Sequence, residues 1–207
     1  MSSVASCDCF VNSSVESFTI SYQDNPGEIQ ELVSRIQAWK SVLNEKLYTY
    51  ENNCRFCKNF DPVLKDSASS MEGLLTGVGI CPRNSTTKVF EYKFENQIYG
   101  MAVVLYSGNG KFLELHDLAR NPSFIGIEKS HKVGTAIISK ILEEANSRAV
   151  ENFSFLSYSS SLDFYKKLGF DFDGEGDFAV SANVNREQMQ QIFYSIQQKL
   201  LLTRVPA

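Results

Sequence analysis

Between Lys88 and Arg148 the apolar pattern changes period, and that change most narrows the folds open to this chain. Lys88–Phe94, Tyr99–Tyr106 and Phe112–Ala119 are rich in β-branched and aromatic residues and predict three strands. Glu95-Asn96-Gln97 and Ser107-Gly108-Asn109-Gly110 separate them. Both are hairpin turn chemistry, so the three strands form an antiparallel meander. After Asn121-Pro122 and a connection holding Gly126, the residues Val133, Ile137, Ile138, Ile141, Leu142 and Ala145 recur at three- and four-residue spacing. That stripe predicts a helix over Val133–Arg148.

The flanking segments read in the same way. Phe18–Tyr22 alternates as a strand and stops at Asp24-Asn25-Pro26-Gly27; a helix then starts near Glu28, with Ile29, Leu32, Val33, Ile36, Trp39 and Leu43 on one stripe. Thr49–Arg83 is interrupted by Pro62, Gly73, Gly77, Gly79 and Pro82 and reads as loop, with a helical turn or two at Met71–Leu75. A strand over Asn152–Ser157, a helix near Ser160–Leu168 and a strand over Phe178–Val184 follow. Asn185 caps a last helix running to Leu202, with Met189, Ile192, Phe193, Ile196 and Leu200 on one face for the core or for a second protomer.

Length and composition fit one globular domain: 207 residues, 43% hydrophobic and 21% charged. Residues 1–17 are Ser-rich and read as a flexible leader, and 18–207 as a single domain. Twenty Lys and Arg against 24 Asp and Glu give a net charge of −4. That balance argues against nucleic acid or an anionic membrane as partner. No apolar run is long enough for a transmembrane helix, and the leader lacks the basic and apolar stretches of a secretory signal. Five cysteines, Cys7, Cys9, Cys54, Cys57 and Cys81, are too few for a disulfide scaffold, which points to a reducing, cytoplasmic compartment. Cys7-x-Cys9 with Cys54-x-x-Cys57 could hold zinc; free thiols are the adopted reading and no metal is expected.

The loop Lys129-Ser130-His131-Lys132-Val133-Gly134-Thr135 leads into a helix N-terminus. Unpaired backbone N–H groups, the helix dipole and two lysines make it an anion cradle, against the plainer reading of a solvated basic loop. Its lone Gly134 fits neither the Walker pattern nor the dinucleotide fingerprint.

Here the chain resembles a known family. Val133–Ile138 followed by Ile141–Ala145 is similar to the acetyl-CoA-binding motif of the GNAT N-acetyltransferases, whose loop reads Arg/Gln-x-x-Gly-x-Gly/Ala. Lys129 takes the basic position, Lys132 replaces the first glycine, and Gly134 keeps the second; a slipped register puts His131 first. Leu162-Asp163-Phe164-Tyr165-Lys166-Lys167-Leu168-Gly169-Phe170 is similar to the family's closing motif. Tyr158 stands where the family often has Asn. Leu115–Pro122 resembles the family's fourth strand.

The resemblance implies an α/β fold with a mixed central β-sheet, splayed between its fourth and fifth strands and flanked by helices. It implies an acetyl-CoA-dependent transferase that acetylates a primary amine, a small molecule or a protein Lys or N-terminus, by direct attack. Lys129, Ser130, His131, Lys132, Val133, Gly134 and Thr135 would cradle the pyrophosphate, and the backbone of Leu118 and Arg120 would pair with the pantetheine arm. Tyr165 would serve as acid. Glu114, directly, or His116, through water, would serve as base, since period-two alternation puts Phe112, Glu114, His116 and Leu118 on one face. The alternatives are a non-catalytic CoA-binding sensor and an exported effector or toxin acting on a host protein, its leader serving as the export address.

Overall fold

A computed structural model describes residues 16–22, 26–53, 62–79, 86–124, 132–158, 160–173 and 179–202. Its strands are β1 (Glu16–Tyr22), β2 (Thr86–Phe94), β3 (Gln97–Ser107), β4 (Phe112–Arg120), β5 (Asn152–Tyr158) and β6 (Ala179–Asn185). Its helices are α1 (Pro26–Asn53), α2 (Pro62–Gly79), α3 (Val133–Ser147), α4 (Leu162–Leu168) and α5 (Arg186–Leu202). The six strands form one sheet in chain order. Every neighbouring pair is antiparallel except β4 and β5, which the α3 crossover joins in parallel. The sheet is mixed, as expected, and β1 begins two residues inside the segment read as leader.

Turn chemistry sets the meander. Glu95 and Asn96 both take positive φ, 49° and 61°, which matches the twist of a two-residue hairpin between β2 and β3. Gly108, Asn109 and Gly110, at 59°, 58° and 84°, turn β3 into β4.

Two cores sandwich the sheet. On one face α3, α4 and α5 bury Ile137, Ile138, Ile141, Leu168, Met189 and Ile196 against Phe90, Val104, Leu115 and Phe153. On the other, Leu32, Ile36, Trp39 and Leu43 of α1 and Met71, Leu74 and Val78 of α2 cover Val89, Met101, Val103 and Ala119. The last helix therefore turns its apolar stripe onto the core. Asn185 caps it reciprocally: Gln188 N donates to Asn185 Oδ1 at 3.0 Å and Asn185 N to Gln188 Oε1 at 2.9 Å. One charge is buried in the first core. Lys88 has no exposed surface, pairs with Glu144 of α3 and lies 5.0 Å from the Tyr106 ring centroid; Arg148 Nε reaches the same carboxylate at 2.7 Å.

The reading of Thr49–Arg83 as loop with a helical turn or two is corrected where the structure describes it, at 49–53 and 62–79. α1 continues to Asn53, and α2 is an 18-residue helix. Pro62 stands at the first helical position, where its missing N–H costs nothing. Gly73 and Gly77 are one helical turn apart on the face that meets β4. A Cβ on Gly73 would stand 1.7 Å from Asp117 Oδ2, and one on Gly77 would stand 2.5 Å from His116 Cδ2. These glycines, read as breakers, let helix and strand approach closely.

Candidate active site

The parallel pairing of β4 with β5 covers only Phe112–Leu115 against Asn152–Phe155. Beyond that point the two strands continue to Arg120 and Tyr158 without pairing to each other, so the sheet opens into the expected split between its fourth and fifth strands.

A β-bulge sits at the fork. Val103 pairs with Asp117 and Val104 with Leu115, leaving His116 as the extra residue on β4. The bulge overturns the alternation expected for this strand. Leu118, opposite Ala102, packs in the same core as Leu113 and Leu115. Glu114, opposite Leu105, and Asp117, opposite Val103, share the face covered by α1 and α2. Glu114 and Leu118 thus point to opposite sides, and the inserted residue brings Asp117 to the side of Glu114. Sequence reasoning passed over Asp117 because a strict period of two places it on the other face, and no local signal in the sequence marks a bulge.

The ladder also fixes where the backbone of β4 points. Asn121 N donates to Tyr99 O at 2.9 Å, so Tyr99–Asn121, Met101–Ala119 and Val103–Asp117 are the hydrogen-bonded pairs of the antiparallel alternation. The backbone groups of Leu118 and Arg120 are consequently directed away from β3 and into the split. Leu118 N donates to the Asp117 Oδ1 carboxylate oxygen at 2.7 Å.

A cavity of about 510 Å³ fills the mouth of the split. Of the residues expected at the site, Glu114, His116, Leu118, Arg120, Gly134 and Tyr165 line it. Glu114 is exposed and His116 is half-buried against α2. Tyr165 is buried, its ring 4.5 Å from that of Phe155 and 4.9 Å from that of Phe164. Burial pushes its phenol well above the ordinary range, and the Asp117 charge adds to that rise. Asp117 itself is pushed from 3.8 up to about 7 by burial, against the opposing pull of the Leu118 N–H and the Ser70 hydroxyl. Tyr158 is exposed at the lip; its carbonyl accepts from Ser161 N at 3.0 Å, setting the start of α4. Gly169, with φ of 104°, closes that short helix.

At the base of α3, Val133 is buried against Gly100 and so belongs to the core; only its N–H is available to a ligand. Gly134 lets the helix start against Phe164, whose Cζ would lie 2.9 Å from an added Cβ. Lys132 is exposed, Thr135 is half-buried, and among the described residues no side chain caps this N-terminus. Lys129, Ser130 and His131 lie outside the described residues, as do all five cysteines. Among the described residues no group of three His, Cys, Asp or Glu is placed to hold a metal ion. No helix among them is long and apolar enough to cross a membrane.

No family model and no curated protein matches the chain. Solved structures similar to it include acetyltransferases. The PaiA N-acetyltransferase of Thermoplasma acidophilum in complex with coenzyme A is 14% identical, with 82% of this chain and 99% of that chain covered and a TM-score of 0.48. The ribosomal-protein-S18-alanine N-acetyltransferase of Escherichia coli is 10% identical over 82% and 94%, with a TM-score of 0.46. A nourseothricin acetyltransferase is 22% identical; the match covers 50% of this chain and 66% of that one, with a TM-score of 0.38.

Proposed function

We propose that this protein is an N-acetyltransferase that moves the acetyl group of acetyl-CoA to a primary amine in the split between β4 and β5. One observation carries the reading. A single cavity at the fork is lined by a carboxylate and an imidazole of β4, the phenol of α4 and the first turn of α3, beside backbone groups of β4 directed into the opening.

The residues suit acetyl-CoA as co-substrate. The amides at the start of α3 offer donors and a positive dipole to a pyrophosphate, with Lys132 beside them and Lys129 to His131 preceding them in the chain. The outward-facing edge of β4 at Leu118 and Arg120 suits the amide groups of a pantetheine arm. When bound, acetyl-CoA supplies an activated acyl carbon and a thiolate leaving group. The chain's own residues then handle protons. A group on β4, Glu114 directly or His116 through water, removes one from the incoming ammonium, because only the neutral amine is nucleophilic. Tyr165 Oη, kept protonated by burial, donates to the departing sulfur. No covalent intermediate with the protein is required. The net charge of −4 favours a cationic acceptor.

Titration calorimetry with acetyl-CoA should show saturable one-site binding, and Tyr165→Phe should keep that affinity while turnover falls. Equal loss of both would remove the acid role from Tyr165, and no binding at all would end the reading.

A further inference from the structure

The bulge at His116 delivers a second carboxylate to the cavity, and its surroundings differ from those of Glu114. Asp117 is wedged between β4 and α2. Its Oδ1 accepts the Leu118 N–H, Ser70 bonds its side chain, and Oδ2 lies against the bare backbone of Gly73. Ala in place of that glycine would drive a methyl group into the carboxylate, so the helix is shaped to leave room for it. Among the described side chains of α2, the polar groups at this part of the cavity are the Ser67 and Ser70 hydroxyls, and the β3 residue opposite Asp117 is Val103. Among the described residues, the titratable or charged ones that line the cavity with it are Glu114, His116 and Arg120 on β4, Tyr158 on β5 and Tyr165 on α4. Glu72 of α2 is engaged with Lys40 of α1.

We infer that Asp117, rather than Glu114 or His116, is the general base that takes the proton from the acceptor ammonium. The inference rests on the acetyl-transfer reading and deepens it. Three observations support it. Asp117 lines the cavity in a fixed orientation, held by two hydrogen bonds, whereas Glu114 is exposed. Asp117 and Tyr165 line the same cavity, which puts base and acid on one reacting volume. Its carboxyl titrates at about 7, near the value at which a base is both ionised and basic enough to work at neutral pH.

An ammonium N–H bond breaks and its proton moves to the Asp117 carboxylate. The amine nitrogen bonds to the acyl carbon as the carbon–sulfur bond breaks, and sulfur takes the proton of Tyr165 Oη. The nitrogen's second proton restores Tyr165, and Asp117 releases its own to water. Amine cation and acetyl-CoA thus give acetamide, CoA thiol and one free proton.

Asp117→Asn is the test because Asn keeps an Oδ1 for the Leu118 N–H. The full-length protein and the variant would be assayed by thiol release against pH with the fastest primary alkylamine of a pool, and with 2,2,2-trifluoroethylamine, a primary amine that is mostly neutral at pH 7. Loss of a general base costs about 10²-fold or more in turnover. The inference expects that loss with the alkylamine, a much smaller loss with the fluorinated amine, unchanged acetyl-CoA affinity by calorimetry, and disappearance of the break near neutral pH. Equal losses with both amines, or a variant that retains rate and break, would overturn it while leaving acetyl transfer standing. A wild-type protein that releases thiol with no amine in the pool would overturn the transfer reading, and this assignment with it.

Discussion

A half-buried carboxyl whose pKa is raised toward neutral pH is a cost to the fold, and Asp117→Asn should expose that cost. The folded pKa of Asp117 is raised from 3.8 to about 7, so the native state holds the proton more tightly than the unfolded chain does. Below the unfolded value both states are protonated and nothing is lost. Between the two values the unfolded chain ionises while the native state resists, and stability falls as pH rises. Above about 7 the full penalty stands, which at 1.36 kcal/mol per unit is roughly 4 kcal/mol for a group shut off from water. The cavity admits some solvent, so we expect between about 1 and 4 kcal/mol. Asn does not titrate and keeps the bond to Leu118 N. Urea unfolding of both proteins should therefore give similar stabilities near pH 4, with the variant gaining on wild type by that margin near pH 8. A difference that does not change with pH, or a variant that becomes the weaker protein at pH 8, would refute this.

Two further substitutions probe the same architecture. Gly73→Ala puts its Cβ 1.7 Å from Asp117 Oδ2, so the helix gains about 1 kcal/mol of propensity while the carboxylate is forced aside. Thiol release should fall sharply while urea-unfolding stability changes by less than about 2 kcal/mol; full turnover in this variant would contradict the placement of Asp117. Lys88→Ala removes the buried partner of Glu144 and, among the described residues, leaves Arg148 against it, which should cost about 3 kcal/mol in urea unfolding. A cost below about 1 kcal/mol would mean that Arg148 alone neutralises Glu144.

Much of this architecture is written in local pattern. The meander, the α3 stripe and the Asn185 cap follow from periodicity and turn residues, and their boundaries agree with the structure to within a few residues. α2 was hidden because Gly73 and Gly77 are poor helix formers taken alone, and their role appears only when β4 lies against them. The bulge was hidden for a related reason: one extra residue in β4 is defined by its partner strand, which local sequence does not encode. That single residue separated Glu114 from Leu118 and brought Asp117 into the cavity. The likeness to the acetyltransferase motifs located the fork, Tyr165 and the start of α3, and left the carboxylate behind the bulge unnoticed.

Amine-dependent release of CoA thiol tests the central claim most directly, since a protein that only senses acetyl-CoA would bind it without turning it over. The purified protein, given acetyl-CoA and a pool of primary amines, should release thiol at a rate that saturates in both, with acetylated amine identified by mass spectrometry. Saturable acetyl-CoA binding without thiol release from any amine would contradict it.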